Sequence, residues 1–278
     1  MTEATLAEIK QVELDILKEF IRVCEKLQLR YFAIDGTVLG AVRHRGFIPW
    51  DDDIDVGMPR KDYEIFMAQA QSYLKAPYFL QNLDTDAGYL RGFAKIRNSQ
   101  TAFIERAARH LPINHGIYID IFPLDGYAYS KIGEIGFKIK KTMYDDKIAS
   151  GFHVTNAGKL PWKTACISTL CSFLSAGTTP KQAAYKREYL SKKHDYDACN
   201  TVGSLYDSIY TRELVPKAWF GEGKMLPFED VMIRVPAEPE KYLAHMYGDY
   251  RQFPPESERV AQHVCDVIDV RRSYRKFI

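Results

Sequence analysis

Asp35-Gly36-Thr37-Val38-Leu39-Gly40 and, further on, Asp51-Asp52-Asp53-Ile54-Asp55-Val56-Gly57-Met58 are the stretches on which the reading of this chain turns. Four carboxylates fall within five positions of a 278-residue chain whose formal net charge is only +2. Like charges so close raise one another's proton affinity, and a bound divalent cation is the simplest offset. Read as a strand, Asp53-Ile54-Asp55-Val56 puts Asp53 and Asp55 on one face and Ile54 and Val56 on the other. Carboxylates two apart on a strand can converge on one magnesium ion or bridge two, leaving coordination positions for phosphate oxygens. Asp51 and Asp52 stand at the entrance, where outer or solvated roles fit better. Taken alone, the cluster also reads as a solvated acidic turn. A calcium EF-hand does not fit: its sixth position would be Val56 instead of glycine, its twelfth Asp62 instead of glutamate, and no helix precedes it.

Upstream, Tyr31-Phe32-Ala33-Ile34 is a short apolar run ended by Asp-Gly, expected to be a buried strand turning sharply at Gly36, with Leu39 to His44 following as one or two helical turns. A strand, a glycine turn and a helix N-terminus present backbone N–H groups that suit a phosphate, so Gly36 and Thr37 are candidate phosphate binders; a plain tight connection is the alternative. Before them, Thr5 to Glu8 has capping-box spacing, and Ile9, Val12, Ile16, Phe20, Val23 and Leu27 form a helical stripe.

Downstream, helical periodicity runs from Arg60 to Leu74 and a strand begins at Tyr78. Lys95-Ile96-Arg97 sets two cations on one strand face, placed to meet a diphosphate. In Gly116-Ile117-Tyr118-Ile119-Asp120-Ile121-Phe122 a carboxylate stands among isoleucines and aromatics, where burying it unpaired would be expensive. Asp120 is therefore expected to face Asp53 and Asp55 from a neighbouring strand, completing the metal site or taking a proton from an attacking hydroxyl. The alternative is a core aspartate bonded to backbone amides. Asp125 reads as fixing a turn.

From Tyr127 the pattern becomes helical: Ile132 to Ile148 with Lys138, Lys140 and Lys141, an apolar helix from Trp162 to Ala176, and a polar helix capped by Thr179-Pro180. The lysine-bearing helix suits a solvated face better than a membrane surface. Strand signals return at Thr201 to Tyr206 and Met225 to Val235, and a last helix starts near Pro239 and stops at Gly248.

The bulk numbers set limits. With 46% hydrophobic and 27% charged residues the chain is globular, and 38 basic against 36 acidic residues argue against nucleic-acid binding by bulk charge. Five cysteines with no C-x-x-C pair read as reduced thiols of a cytoplasmic protein. Zinc on Cys166, Cys171, His194 and Cys199 fits no common spacing. Glu3 and Glu8 speak against a secretory signal, and Ala165 to Ala176 is too short to span a bilayer.

Taken together, these segments resemble the LicD family, choline-phosphate transferases of bacterial surface glycans related to the fukutin proteins. The likeness rests on Asp35 to Met58 almost throughout, on Lys95-Ile96-Arg97, on Ile119-Asp120-Ile121-Phe122-Pro123-Leu124-Asp125-Gly126, and on Tyr247-Gly248-Asp249-Tyr250, Pro254-Pro255 and His263. It implies an α+β fold with a polymerase-β-like nucleotidyltransferase core, a mixed sheet flanked by helices, and a mainly helical insert. The expected division is a catalytic core over 1–126, the insert over 127–198, and a segment returning to the core over 199–278. Asp53, Asp55 and Asp120 would bind one or two magnesium ions, with manganese as the alternative. Gly36, Thr37, Arg43, Lys95 and Arg97 would bind phosphate oxygens. The implied donor is CDP-choline, with CMP leaving. The implied acceptor is a sugar hydroxyl of a teichoic acid or similar glycan precursor, lipid-linked acceptors and peripheral membrane contact being compatible with it. Transfer of another phosphorylated group, or ligand binding without turnover, are the readings that stay open beside it.

Overall fold

A computed structural model describes residues 5–152, 177–206, 209–261 and 263–278. The expected apolar helix at Trp162 to Ala176, and with it Cys166 and Cys171, lies outside the described residues. Helix α1 spans Leu6–Leu27, and its capping box forms as the spacing predicts: Thr5 accepts from the Glu8 N–H while Glu8 reaches back to the Thr5 N–H. Strand β1 is Phe32–Ala33, helix α2 Asp35–His44, strand β2 Asp55–Pro59 and helix α3 Arg60–Gln69. Strands β3 (Tyr78–Gln81), β4 (Ala94–Asn98), β5 (Ala102–Glu105) and β6 (Ile117–Gly126) follow. Then come α4 (Lys131–Ala149), α5 (Pro180–Ser191), β7 (Thr201–Gly203), β8 (Val215–Pro216), β9 (Lys224–Phe228), β10 (Val231–Val235), α6 (Pro239–Tyr247) and β11 (Cys265–Asp269).

The main sheet runs β1-β2-β6-β4-β3, with β7 joined to the far end of β6 and β8 to β7. It is mixed: β2 and β6 are parallel and the other pairs antiparallel. One face carries Ile54, Val56, Ile96, Ile119 and Ile121, all buried, and α1 and α3 belong to the same core, Phe20 meeting Phe66 at 5.3 Å between ring centroids. The other face carries the polar residues described below. The molecule is thus α+β with a mixed sheet flanked by helices.

Three local expectations change. The corner after β1 falls at Asp35, whose φ is +48°, and the helix begins there, so Gly36 lies inside its first turn. Asp125 is in strand β6 and not in a turn; it is fully buried and takes two hydrogen bonds of 2.7 Å from Arg60. Met225 to Val235 is a hairpin, turning at Glu229 (φ +53°) and Asp230. The polar pair supplies a two-residue loop that apolar residues would not. That turn grips the loop after α2: Glu229 donates its N–H to the Arg45 carbonyl, and its carboxylate accepts from the Phe47 N–H. A Cβ on Gly46 would sit 2.1 Å from that carboxylate, so a larger residue there would displace the Glu229 side chain from the Phe47 N–H.

Candidate active site

Register builds the centre of the site. Asp55 opens β2 directly beside Asp120 on the parallel β6, and Asp120 donates its N–H to the Ile54 carbonyl at 2.9 Å. Lys95 stands opposite Asp120 on β4, and Gln81 opposite Lys95 on β3. Asp55, Asp120, Lys95 and Gln81 therefore form one rung across four strands, facing the same way. Lys95 Nζ lies 2.6 Å from Asp120 Oδ1 and 3.3 Å from the centroid of the Tyr118 ring.

Asp53 sits just before β2, and its charge environment is shared with Asp51, Asp52 and Asp120. Burial first, then Asp51 and Asp120, pushes its carboxyl up to about 7 against the pull of His263. Burial, followed by Asp53 and Asp120, pushes Asp55 well above the carboxylate range. Asp120 thus contributes to the raised proton affinity of both Asp53 and Asp55.

The hard oxygen donors and their mutual repulsion suit a divalent cation. Asp120 Oδ1 meets Lys95 as an ion contact without a well-directed hydrogen bond, and the buried Tyr118 hydroxyl has no hydrogen-bond partner among the described residues. Among the described residues, however, no three His, Cys, Asp or Glu side chains are already gathered at ligand distance.

The remaining sequence candidates are spread differently. Thr37 is buried behind the rung: its N–H goes to the Ile34 carbonyl, and its hydroxyl accepts the Asp55 N–H at 2.8 Å, fixing the start of β2. Gly36 faces the acidic loop, where a Cβ would come within 2.9 Å of Asp51 Oδ2. Arg43 is held by the C-terminal region, donating to the Tyr250 carbonyl at 2.9 Å and lying 4.6 Å from the Phe253 ring centre. Arg97 is buried, bonding Gln81 and the Gly116 carbonyl. Both arginines would have to leave protein partners to reach a phosphate.

Several neighbours of the centre carry no assigned site role in the sequence, His263 entering only through the resemblance. Arg91 and Phe93 lie in the bend before β4, where Lys95 Nζ is 5.6 Å from the centre of the Phe93 ring, and that ring lies 4.4 Å from that of Phe122. Glu105 on β5 is held down to about 2: burial pushes it up, but Lys95, Arg91 and Arg97 together outweigh that. Glu13 of α1, four residues from both Ile9 and Leu17 on the apolar stripe, is buried. Burial, then Asp53, Asp52 and Asp51, raises its proton affinity well above the carboxylate range. His263 returns from the C-terminal region to Asp52, with Nδ1 3.1 Å from Oδ1, its ring against Phe103 and Tyr118. Lys10 Nζ donates to the Ile48 and Pro49 carbonyls at 2.8 and 3.0 Å, tying down the entry to the acidic loop.

Residues 28–157 match the family described as LicD/FKTN/FKRP, nucleotidyltransferase domain. The chain carries a LicD-family domain. It is also similar to the lipopolysaccharide cholinephosphotransferase LicD of Haemophilus influenzae, 29% identical over 273 residues that make up 95% of this chain and 98% of that protein. Shorter likenesses, 43% identical in each case, join it to uncharacterised proteins of Rickettsia prowazekii over 54 residues and Rickettsia typhi over 47. These cover 19% and 17% of this chain, and 20% and 15% of the two rickettsial proteins. The matched stretch contains the rung, the acidic loop and the α2 corner, while Lys10, Glu13 and His263 reach the acidic loop from outside it.

Proposed function

We propose that this chain is a metal-dependent phosphocholine transferase of the nucleotidyltransferase fold, moving choline phosphate from CDP-choline to a sugar hydroxyl of a cell-surface glycan precursor and releasing CMP. The observation that carries the reading is the pairing of Asp55 with Asp120 on adjacent parallel strands, with Asp53 beside them and Lys95 across from Asp120. The full-length likeness to a lipopolysaccharide cholinephosphotransferase supports choline phosphate as the group moved.

In this reading Asp53, Asp55 and Asp120 would hold magnesium, which when bound neutralises charge on the phosphates and the departing CMP. The chain's own residues do the rest. Lys95, fixed on the rung, adds a cation for phosphate oxygens, and Gly36 leaves the α2 corner open to a close approach. The acceptor oxygen forms a bond to the choline-bearing phosphorus as the bond to the CMP oxygen breaks. Its proton passes to the carboxylate set, in which Asp120 faces the same way as Asp55 and is held in place by Lys95. Thr37 and Lys10 position the two ends of the acidic loop.

The test is CMP release from CDP-choline with magnesium, with and without a lipopolysaccharide or teichoic acid acceptor. Acceptor-dependent release, lost in Asp53→Ala, is expected. Release from other nucleotide-activated donors but not from CDP-choline would replace choline phosphate with another group. Retained CDP-choline binding with no turnover would make the chain a binding protein.

A further inference from the structure

Among the described residues, helix α4 is anchored on one side only. Phe137 and Lys141 are buried, Phe137 in a cluster with Leu205 and Tyr210, and Lys141 pairs with Asp145, which also meets Arg187 of α5. The opposite side carries Ile132, Ile135 and Ile139 at steps of three and four, 84%, 59% and 58% exposed. Three large aliphatic side chains aligned on one solvent-facing stripe are not the scattered surface hydrophobics of an ordinary helix. On helical geometry, Lys131 and Lys138 border the stripe on one edge and Lys140 and Lys147 on the other. Glu134 pairs with Lys138 at 2.7 Å, Asp145 turns to Lys141 and Arg187, and Asp146, two turns after Ile139, ends the stripe on its own line. Around the helix from the stripe, α4 and α5 enclose a groove lined by Lys140, Tyr144, Lys186, Tyr189, Lys192 and Lys193, with Tyr189 77% exposed.

We propose that this face docks on an anionic lipid bilayer, the isoleucines entering the interface and the lysines of the stripe and groove meeting lipid phosphates. The chemistry is complementary in both parts: an aliphatic stripe edged by long basic side chains can lie in the boundary layer while the ammonium groups stay at the headgroups. The tyrosines of the groove suit the same depth, apolar in body and polar at the tip. No helix among the described residues is long and apolar enough to cross a membrane, so the contact is one of lying on the surface. The proposal stands apart from the reaction and does not depend on choline phosphate being the group moved.

The experiment is flotation of the full chain with vesicles of pure phosphatidylcholine and with vesicles containing phosphatidylglycerol, at two salt concentrations. Binding to the anionic vesicles alone, weakened by salt, is expected. The triple variant Ile132→Ser, Ile135→Ser, Ile139→Ser changes only exposed side chains and is expected to lose binding while keeping its thermal unfolding midpoint. Lys140→Gln and Lys193→Gln should each weaken partitioning about fivefold. Ile135→Trp should show a blue-shifted emission on anionic vesicles. The proposal is overturned if the wild type fails to float with anionic vesicles, or if the triple variant floats as well as the wild type. It is equally overturned if sedimentation shows a wild-type dimer that the triple variant abolishes, which would make the stripe a contact between copies.

Discussion

The hydroxyl of Thr37 carries more of the site than its place in a glycine turn suggests. It is buried and accepts the N–H of the half-buried Asp55 at 2.8 Å, so Thr37→Val leaves that amide without its protein acceptor and should cost about 1–3 kcal/mol in urea unfolding, with Thr37→Ser restoring most of it. Asp53 gives a pH signature. Its folded-state proton affinity is raised to about 7 from an ordinary 3.8, so the stability it contributes is full below pH 4 and is lost as pH rises through 7. In chelator, the unfolding midpoint should therefore fall between those limits, and Asp53→Asn should flatten that part of the profile; an unchanged slope in the variant would refute the assignment. The acidic cluster and Asp120 were legible as residues because carboxylates in apolar or like-charged runs need a physical reason. Glu13 was not, because one carboxyl on a helical stripe reads as a surface position until the loop packed on it is known.

At the scale of elements, the Arg60–Asp125 pair joins the start of α3 to the end of β6, and Arg60 reaches on to Glu188 of α5. Breaking a buried pair leaves an uncompensated charge, so Asp125→Ala should cost about 3–5 kcal/mol by denaturant unfolding, while Arg60→Met with Asp125→Leu should recover much of that loss. The order of elements was readable from periodicity up to the insert, and the parallel neighbours β2 and β6 agree with the expectation that Asp120 faces the pair. The corner after β1 was misplaced by one residue, because glycine usually marks such turns whereas here Asp35 takes the positive φ and Gly36 lies against the Asp51 carboxylate. The β9–β10 hairpin was hidden by a turn made of Glu229 and Asp230, without the Asn-Gly or Asp-Gly pair that announces one.

Across the whole molecule, the C-terminal region closes the site from outside the matched domain. His263 meets Asp52, Tyr242 donates its hydroxyl to Asp35 at 3.2 Å, and β11 pairs with β5 behind Arg97 and Glu105. Pairings 207 or more residues apart leave no local trace in a sequence, which is why His263 was visible only through resemblance. His263→Ala should loosen the acidic loop, and proteolysis within residues 45–55 should quicken while far-ultraviolet circular dichroism stays unchanged. The central claim is that Asp53 and Asp55, just before and at the start of β2, and Asp120, on the neighbouring β6, make one cation-dependent centre. Its most direct measurement is a manganese titration followed by electron paramagnetic resonance, comparing the wild type with Asp55→Asn and Asp120→Asn. Binding by the wild type that weakens at least tenfold, about 1.4 kcal/mol, in both variants is the predicted result; manganese bound with equal affinity by Asp120→Asn would contradict it.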